Sequence, residues 1–332
     1  MGISISIGIS PRESLADWSR FTGELEHRGV EELWLIDSQL AMKDAYIGLA
    51  LAAGQTERMR LGTGVSNLIT RHPTVTANGI AAIAELSGGR AMLGLGAGDS
   101  AVYGLGEKPS KVAEVEDGLT FFGEVLDGRE GTWQGRSYKL AQPVPRTPVY
   151  LAVSQPRMCR LAGRLADGVI VMGPAQPDML TKQLGWITDG IEDAGRARED
   201  VRVCFIATLS AREDTEAALA DVRSWASAQA RLQASVKELP PSLEPFRDEI
   251  KRAKEDYDYG EHLSTRAKHQ GTVSDELVRT LAISGTAEEC VERARALMET
   301  GVDDLIFPLL GGGRLERLKV LTEQISPELT WT

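Results

Sequence analysis

The 332-residue sequence has little cysteine, histidine or aromatic content: three Cys, four His, and 5% Phe, Trp and Tyr together. Cys159, Cys204 and Cys290 lie far apart and form no CxxC pair. That spacing argues against a disulfide framework and against a thiolate zinc site. Each sits in an apolar segment and reads as a small core residue. His27, His72, His262 and His269 form neither HxH nor HExxH. A metal-dependent barrel enzyme needs several histidines at strand ends, so no metal ligand is assigned. There is no GxSxG elbow, which removes the serine-hydrolase reading. No apolar run approaches the roughly 20 residues of a membrane span. The opening MGISISIGIS alternates like a strand and has no charged leader, so a secretory signal is not expected. A reducing cytoplasm is the expected setting.

Positive charge is also in deficit. Lys and Arg number 37 against 48 Asp and Glu, a formal net charge of −11. Such a surface repels phosphate backbones and anionic membranes, so neither nucleic acid nor membrane is an expected partner. A small-molecule substrate is. Hydrophobic residues make up 42% of the chain. That is ample material for a core.

What is present is an alternation of element types. Short apolar runs recur at Ile3–Ile9, Glu32–Asp37, Met59–Asn67, Ala91–Gly98, Val149–Ser154, Gly168–Gly173, Val201–Ser210 and Asp303–Leu309. They are rich in Val, Ile and Leu, as parallel strands buried on both faces are. Helix-like stretches lie between them. Pro11–His27 has Ser10 to cap it and Gly29 to stop it. Pro73–Leu86, Pro156–Ala166 and Pro177–Ala194 each open on a proline. Thr286–Thr300 carries Glu288 and Glu289 in its first turn and Gly301 past its end, which suits the helix dipole and the C-cap. Eight such alternations predict a closed α/β (β/α)8 TIM barrel rather than an open sheet. The expectation is one barrel domain over 1–332.

Two stretches break the rhythm. Glu107–Pro148 is predicted to hold a helix, Val112–Leu126, and a hairpin-like piece around Trp133-Gln134-Gly135. Ala211–Leu281, with Pro240-Pro241 and the charged run Glu249–Asp258, is too long for a connection. It reads as an insertion at 211–281, a lid or an oligomer contact.

Barrel enzymes place their chemistry at the C-terminal ends of the strands. Here those ends carry Ser10, Asp37-Ser38, Gly64-Val65-Ser66-Asn67, Gly96-Ala97-Gly98-Asp99, Ser154-Gln155, Gly173-Pro174 and Gly311-Gly312-Gly313. Glycines admit a bulky planar ligand to the backbone, and small polar groups read its edge. Only Asp37 and Asp99 are carboxylates. This inventory suits cofactor binding better than hydrolysis. Gly94-Leu95-Gly96-Ala97-Gly98 echoes a dinucleotide fingerprint, or is a tight strand exit. Ser154, before a helix that opens on Pro156, reads as a phosphate site or as an ordinary N-cap.

The elements TGVSN (63–67), TRHP (70–73), ELSGGR (85–90) and LGLGAGD (93–99) occur in that order. With RLADGVIVMG (164–173) and SGTAEECVERARALMETGVDDLIF (284–307), they closely resemble the bacterial luciferase-like superfamily. The likeness is strongest to its branch of deazaflavin-dependent methylenetetrahydromethanopterin reductases. It covers nearly everything outside 211–281. The resemblance implies a (β/α)8 barrel, often dimeric, so a homodimer is expected. It implies a flavin-type ring over the barrel mouth and a non-prolyl cis peptide, by position Gly64–Val65. It implies that Ser66 and Asn67 meet the ring's polar edge, that Gly98 and Asp99 line its phosphate or ribityl side, and that Ser154 binds phosphate beside Gly173. Asp37 falls near ring or substrate as the catalytic group. His72 is either a cofactor contact or a helix start. Many relatives follow the strand-two acid with histidine; this chain has Asp37-Ser38 instead.

The leading expectation is an oxidoreductase moving a hydride between coenzyme F420 and a small organic substrate. An FMN-dependent monooxygenase shares the same layout. An NADH-linked methylenetetrahydrofolate reductase and a cofactor-free binding barrel complete the set. The glycine rim and Ser154 argue against the last.

Overall fold

The computed structural model of the chain describes residues 3–143, 145–236, 238–258, 268–309 and 313–329. Gly311, Gly312 and His262 lie outside the described residues. The chain opens with β1 (Ile3–Ile7), α1 (Leu15–His27), β2 (Val30–Leu35), α2 (Ala45–Ala53), β3 (Arg60–Thr63), α3 (Pro73–Leu86) and β4 (Ala91–Leu95). It continues with α4 (Ser100–Tyr103), α5 (Val112–Val125), β5 (Gly131–Trp133), β6 (Arg136–Tyr138), β7 (Val149–Val153), α6 (Pro156–Leu165) and β8 (Gly168–Val171). Then come α7 (Pro177–Asp193), β9 (Arg202–Ile206), β10 (Leu209–Ala211), α8 (Thr215–Gln233), α9 (Arg247–Glu255) and α10 (Asp275–Leu281). The last are β11 (Ile283–Gly285), α11 (Ala287–Met298), β12 (Asp304–Pro308) and α12 (Arg314–Val320).

Eight strands close in the order β1-β12-β9-β8-β7-β4-β3-β2, a TIM barrel as the alternation predicts. The pairings of β1 with β2, β2 with β3, β3 with β4, β4 with β7 and β7 with β8 are all parallel. Every residue of β1, β4 and β12 is buried; β4 and β12 accordingly show no alternation, whereas β1 alternates Ile with the small, buried Ser4 and Ser6. No helix among the described residues is long and apolar enough to cross a membrane.

The chain divides into two compact units. One comprises Gly2–Val171 and Gly185–Cys204. Its helices start where the sequence offers caps. His72 caps α3 with Pro73 in the first turn, and Gly88 and Gly89 follow its end at φ 66° and 89°. The helix α1 begins four residues later than Pro11. Ser14, not Ser10, is its N-cap, accepting from the Asp17 amide at 3.0 Å. Ser10 instead closes a turn through its carbonyl and the Glu13 amide. The expected hairpin is present: β5 pairs antiparallel with β6. Gln134 and Gly135 supply its two turn residues at φ 48° and 74°. This is the mirror-image turn that matches strand twist.

The loop between α2 and β3 is held by Arg90. Its guanidinium donates to the carbonyls of Met59 at 2.6 Å and Thr56 at 2.8 Å, and its Nε to that of Ser87 at 2.8 Å. Arg90→Met removes every donor from that fan. It should lower unfolding stability by about 1.5–3 kcal/mol, the range for a charged hydrogen bond, in a urea denaturation series.

The other unit comprises Met172–Leu184 and Phe205–Thr332. Here the expected run Val201–Ser210 proves to be two strands, β9 and β10, and β10 pairs with β11. The described residues of 211–281 fold largely as helices. Leu219, Val222, Ala226 and Ala230 of α8 pack with Ile250 and Ala253 of α9 and Leu277, Val278 and Leu281 of α10. At α11, Thr286 and Glu289 form a reciprocal capping box. The Thr286 amide donates to Glu289 Oε2 at 2.8 Å, and the Glu289 amide to Thr286 Oγ1 at 3.3 Å.

Candidate active site

The candidate residues of the first unit gather at the C-terminal ends of β2, β3, β4 and β7. At β3 the strand stops at Thr63, and the Gly64–Val65 peptide that follows is cis. Only glycine fits at 64, because an added Cβ would lie 2.9 Å from the Trp34 Cβ and 3.1 Å from its carbonyl carbon. Pairing then resumes. Ser66 donates its amide to the Gly94 carbonyl, and its own carbonyl accepts from the Gly96 amide, both at 2.9 Å. The glycines of β4 leave room for this chain. A Cβ at Gly94 would strike the Thr63 carbonyl oxygen at 2.1 Å, and one at Gly96 would meet Val65 Cγ2 at 2.9 Å. The glycine-rich LGLGAG stretch is therefore shaped by its neighbour strand, and its dinucleotide-like spacing is a packing consequence.

Asp37 lies two residues past β2 and is buried, 7% exposed. Its Oδ2 accepts from the Ser66 hydroxyl at 2.6 Å. The Ser66 Oγ lies 3.2 Å from the Tyr46 hydroxyl. The single Ser66 proton is committed to the carboxylate, so Tyr46 is the donor in the second bond. Arg71 Nε stands 4.0 Å from the same Asp37 Oδ2, and the Arg71 guanidinium pairs with Asp44. That guanidinium also lies over the Tyr46 ring, 4.7 Å from its centroid, a cation–π contact. Gly79 of α3 makes the room for the ring, because a Cβ there would come 2.9 Å from Tyr46 Cδ1.

Burial pushes the Asp37 carboxyl above its ordinary value. The Ser66 bond and the Arg71 charge pull the other way, and the charge of Asp44 adds to the rise. These are the ordinary effects of lost hydration, a donor and neighbouring charges. Burial also pushes the Tyr46 phenol up, to about 12, so it stays a protonated donor at neutral pH.

The remaining sequence candidates are placed as follows. Asn67 is buried, and its Oδ1 accepts from the amides of Ile69 and Thr70 at 2.9 Å. It thereby shapes the loop after β3. Gly98 takes φ 104°, and a Cβ there would lie 2.5 Å from Val102 Cγ2. Asp99 follows as the residue before α4 and makes no side-chain cap bond. Ser154 is half-buried, one residue before Gln155, the N-cap position of α6. It is thus not the N-cap itself. Pro156 opens that helix and no side chain caps it. Gly173 lies in the other unit, where a Cβ would meet Gln183 Oε1 at 2.9 Å. His72 is a helix start. Its Nδ1 accepts from the Thr74 amide at 3.3 Å on the surface. Ser38 Oγ lies 3.5 Å from Ser100 Oγ, and Gln39 Nε2 donates to the Ala101 carbonyl at 2.8 Å, joining the loops after β2 and β4.

Sequence reasoning missed Tyr46, Arg71 and Asp44. The TRHP element carries a signal, but in its arginine rather than its histidine. Tyr46 sits on α2, a helix without a capping serine or threonine and apolar almost throughout.

At the described strand ends of this (β/α)8 barrel, the glycines of β3 and β4 lie beside one buried carboxylate, Asp37. The chain belongs to the luciferase-like monooxygenase family, whose pattern it matches over residues 1–304. It is 27% identical over 342 aligned residues to the 5,10-methylenetetrahydromethanopterin reductase of Methanolobus tindarius, covering 97% of this chain and 99% of that one. It is 28% identical to the F420-dependent glucose-6-phosphate dehydrogenase of Nakamurella multipartita, covering 85% of this chain and 80% of that one. Among solved structures, the coenzyme F420-dependent tetrahydromethanopterin reductase of Methanopyrus kandleri superposes with a TM-score of 0.80. It is 21% identical, over 99% of this chain and 100% of that one.

Proposed function

We propose that the protein is a coenzyme F420-dependent oxidoreductase that moves a hydride between the deazaflavin and a small organic substrate. The observation that carries the reading is the buried Asp37–Ser66 pair beside the Gly64–Val65 peptide. The full-length relatives named for F420 dependence supply the coenzyme's identity. The residues fit such a ring. The Ser66 hydroxyl and the Asn67 Oδ1 are already committed within the protein, so backbone groups of Gly64, Val65, Ser66 and Asn67 would form the wall behind it. The Asn67 side-chain nitrogen can donate to it. Gly98 and Asp99 would line the ribityl side, and the start of α6 beside Ser154 would hold phosphate.

When bound, reduced F420 supplies a hydride to an unsaturated carbon of the substrate. Asp37 supplies the matching proton to the heteroatom, and in the reverse direction takes it back. The residue after Asp37 is Ser38, so this strand end offers the carboxyl and no imidazole as a proton carrier.

The same reading includes one barrel domain with 211–281 as an insertion, a cytoplasmic setting and a homodimer. The buried free thiols Cys159, Cys204 and Cys290 suit a reducing compartment.

The test is fluorescence titration of the unloaded protein with F420 and, separately, with FMN. F420 alone should bind. Ser154→Asp places like charge at the phosphate and should weaken F420 binding at least about tenfold, which is about 1.4 kcal/mol, with the circular dichroism spectrum unchanged. Binding of FMN alone would overturn the coenzyme assignment, and unchanged F420 affinity in Ser154→Asp would remove Ser154 from the site.

A further inference from the structure

The Asp37 carboxyl is held from behind by groups that lie apart in the sequence. Ser66 donates to its Oδ2 at 2.6 Å, and Tyr46 donates to Ser66 at 3.2 Å. Arg71 faces the same oxygen at 4.0 Å while its guanidinium covers the Tyr46 ring and pairs with Asp44. These groups come from four places in the chain: the end of β2, the start of α2, the segment after Gly64–Val65 and the loop before α3. A half-buried tyrosine whose hydroxyl reaches the carboxylate through one serine is an arrangement with a direction. Tyr46 donates, Ser66 passes a donor on, and Asp37 receives it.

We propose that Tyr46 and Arg71 are positioning residues for Asp37, acting through Ser66 and through space to aim the carboxyl and balance its charge. This deepens the reading of Asp37 as the acid–base group and rests on it for function. The physical argument is independent of any coenzyme. A carboxylate with its back in the protein is costly unless donors and a positive charge offset the lost water. The groups around Asp37 that bear on its ionisation are Ser66, Arg71 and Asp44, with Tyr46 behind Ser66. Asp44 opposes Asp37, yet it is tied to Arg71, so Arg71 shields one acid from the other. Together, a neutral donor relayed through serine and a positive charge offset burial and keep the acid able both to give and to take a proton.

The sign follows. Ser66, Arg71 and, through Ser66, Tyr46 favour the ionised form, whereas Asp44 disfavours it, so removing any of the first three moves the Asp37 titration to higher pH. Tyr46→Phe loses one neutral bond at one remove and should raise the midpoint by about half to one pH unit. Ser66→Ala loses the bond to the carboxylate itself and should raise it by about one to two units. Arg71→Gln should also raise it, by an amount that shrinks in high salt.

The measurement is a carbon-13 NMR titration of the aspartate carboxyls in the unloaded protein. Asp37 is assigned by the resonance lost in Asp37→Asn. A purely structural tyrosine would lower the melting temperature of Tyr46→Phe and leave the Asp37 midpoint where it was, which would overturn the proposal. If Tyr46→Phe does not fold, Arg71→Gln reads the same midpoint from the other side of the ring, and an unmoved midpoint there overturns it equally. The two readings separate cleanly. Upward shifts in a protein that does not bind F420 would support the Tyr46–Ser66–Asp37 chain and remove the coenzyme assignment. F420 binding with unmoved midpoints would do the reverse.

Discussion

Asp37→Asn should lower the turnover of the F420-dependent reaction by about 100- to 10,000-fold, the usual range for losing a general acid or base, while the coenzyme still binds. Asparagine keeps the size and can still accept the Ser66 bond through its Oδ1, so the local structure has no reason to move. What it loses is the ionisable proton. The pH dependence carries the sharper signature. Burial raises the Asp37 pKa, so its inflection should lie above that of an ordinary aspartate. In the reducing direction the protonated form is needed, and the rate should fall as pH rises through that inflection. In the oxidising direction the ionised form is needed, and the rate should rise through it. Asp37→Asn should erase the inflection from both profiles. Steady-state rates against pH, with F420 affinity measured beside them, make the check. Wild-type turnover in Asp37→Asn would move the proton transfer to another group.

How much of this is legible in the sequence depends on the kind of interaction. The barrel is legible because it rests on period: runs buried on both faces lose alternation, and prolines and glycines mark the helix ends between them. Strand ends are harder. The run at 59–67 reads as one strand, yet the chain leaves β-geometry at Gly64 and rejoins the ladder only through Ser66. Hydrophobicity does not change across that break, so no pattern marks it; the motif resemblance does. Ser10 followed by Pro11 is a good helix opening, but Ser14 offers the same hydroxyl with Asp17 in the first turn, and the dipole favours the acid there. Asp37 and Ser66 are legible as strand-end residues, while their bond is not. Tyr46 is hidden for a different reason. Its role comes from Gly79 of α3 leaving space and Arg71 lying over its face, contacts between elements that share no local pattern.

The same limit applies at the other end of the strands, where Glu32→Ala should cost about 1–3 kcal/mol of unfolding stability, less than breaking a fully buried pair because both guanidiniums stay partly in water. Glu32 stands in the apolar strand β2 and is 1% exposed. Its Oε1 pairs with Arg60 of β3 and, at 2.6 Å, with Arg202 of β9, and its Oε2 accepts from Trp34 Nε1 at 3.2 Å. The three partners come from residues 34, 60 and 202, so the sequence shows only an ill-placed charge. Alanine leaves two guanidiniums facing each other with no anion between them, and the indole N–H loses its acceptor. Glu32→Gln keeps the shape and one acceptor and should lose less. Arg60 is the more exposed partner, at 42%, against 27% for Arg202. Arg60→Ala in the Glu32→Ala background should therefore recover part of the loss, because it removes a like-charge contact that water only partly screens. Chemical denaturation of the wild type, Glu32→Ala, Arg60→Ala and the double variant closes a double-mutant cycle. An additive result would mean that Glu32 and Arg60 do not interact in solution, and the stabilising role would pass to Arg202 and Trp34.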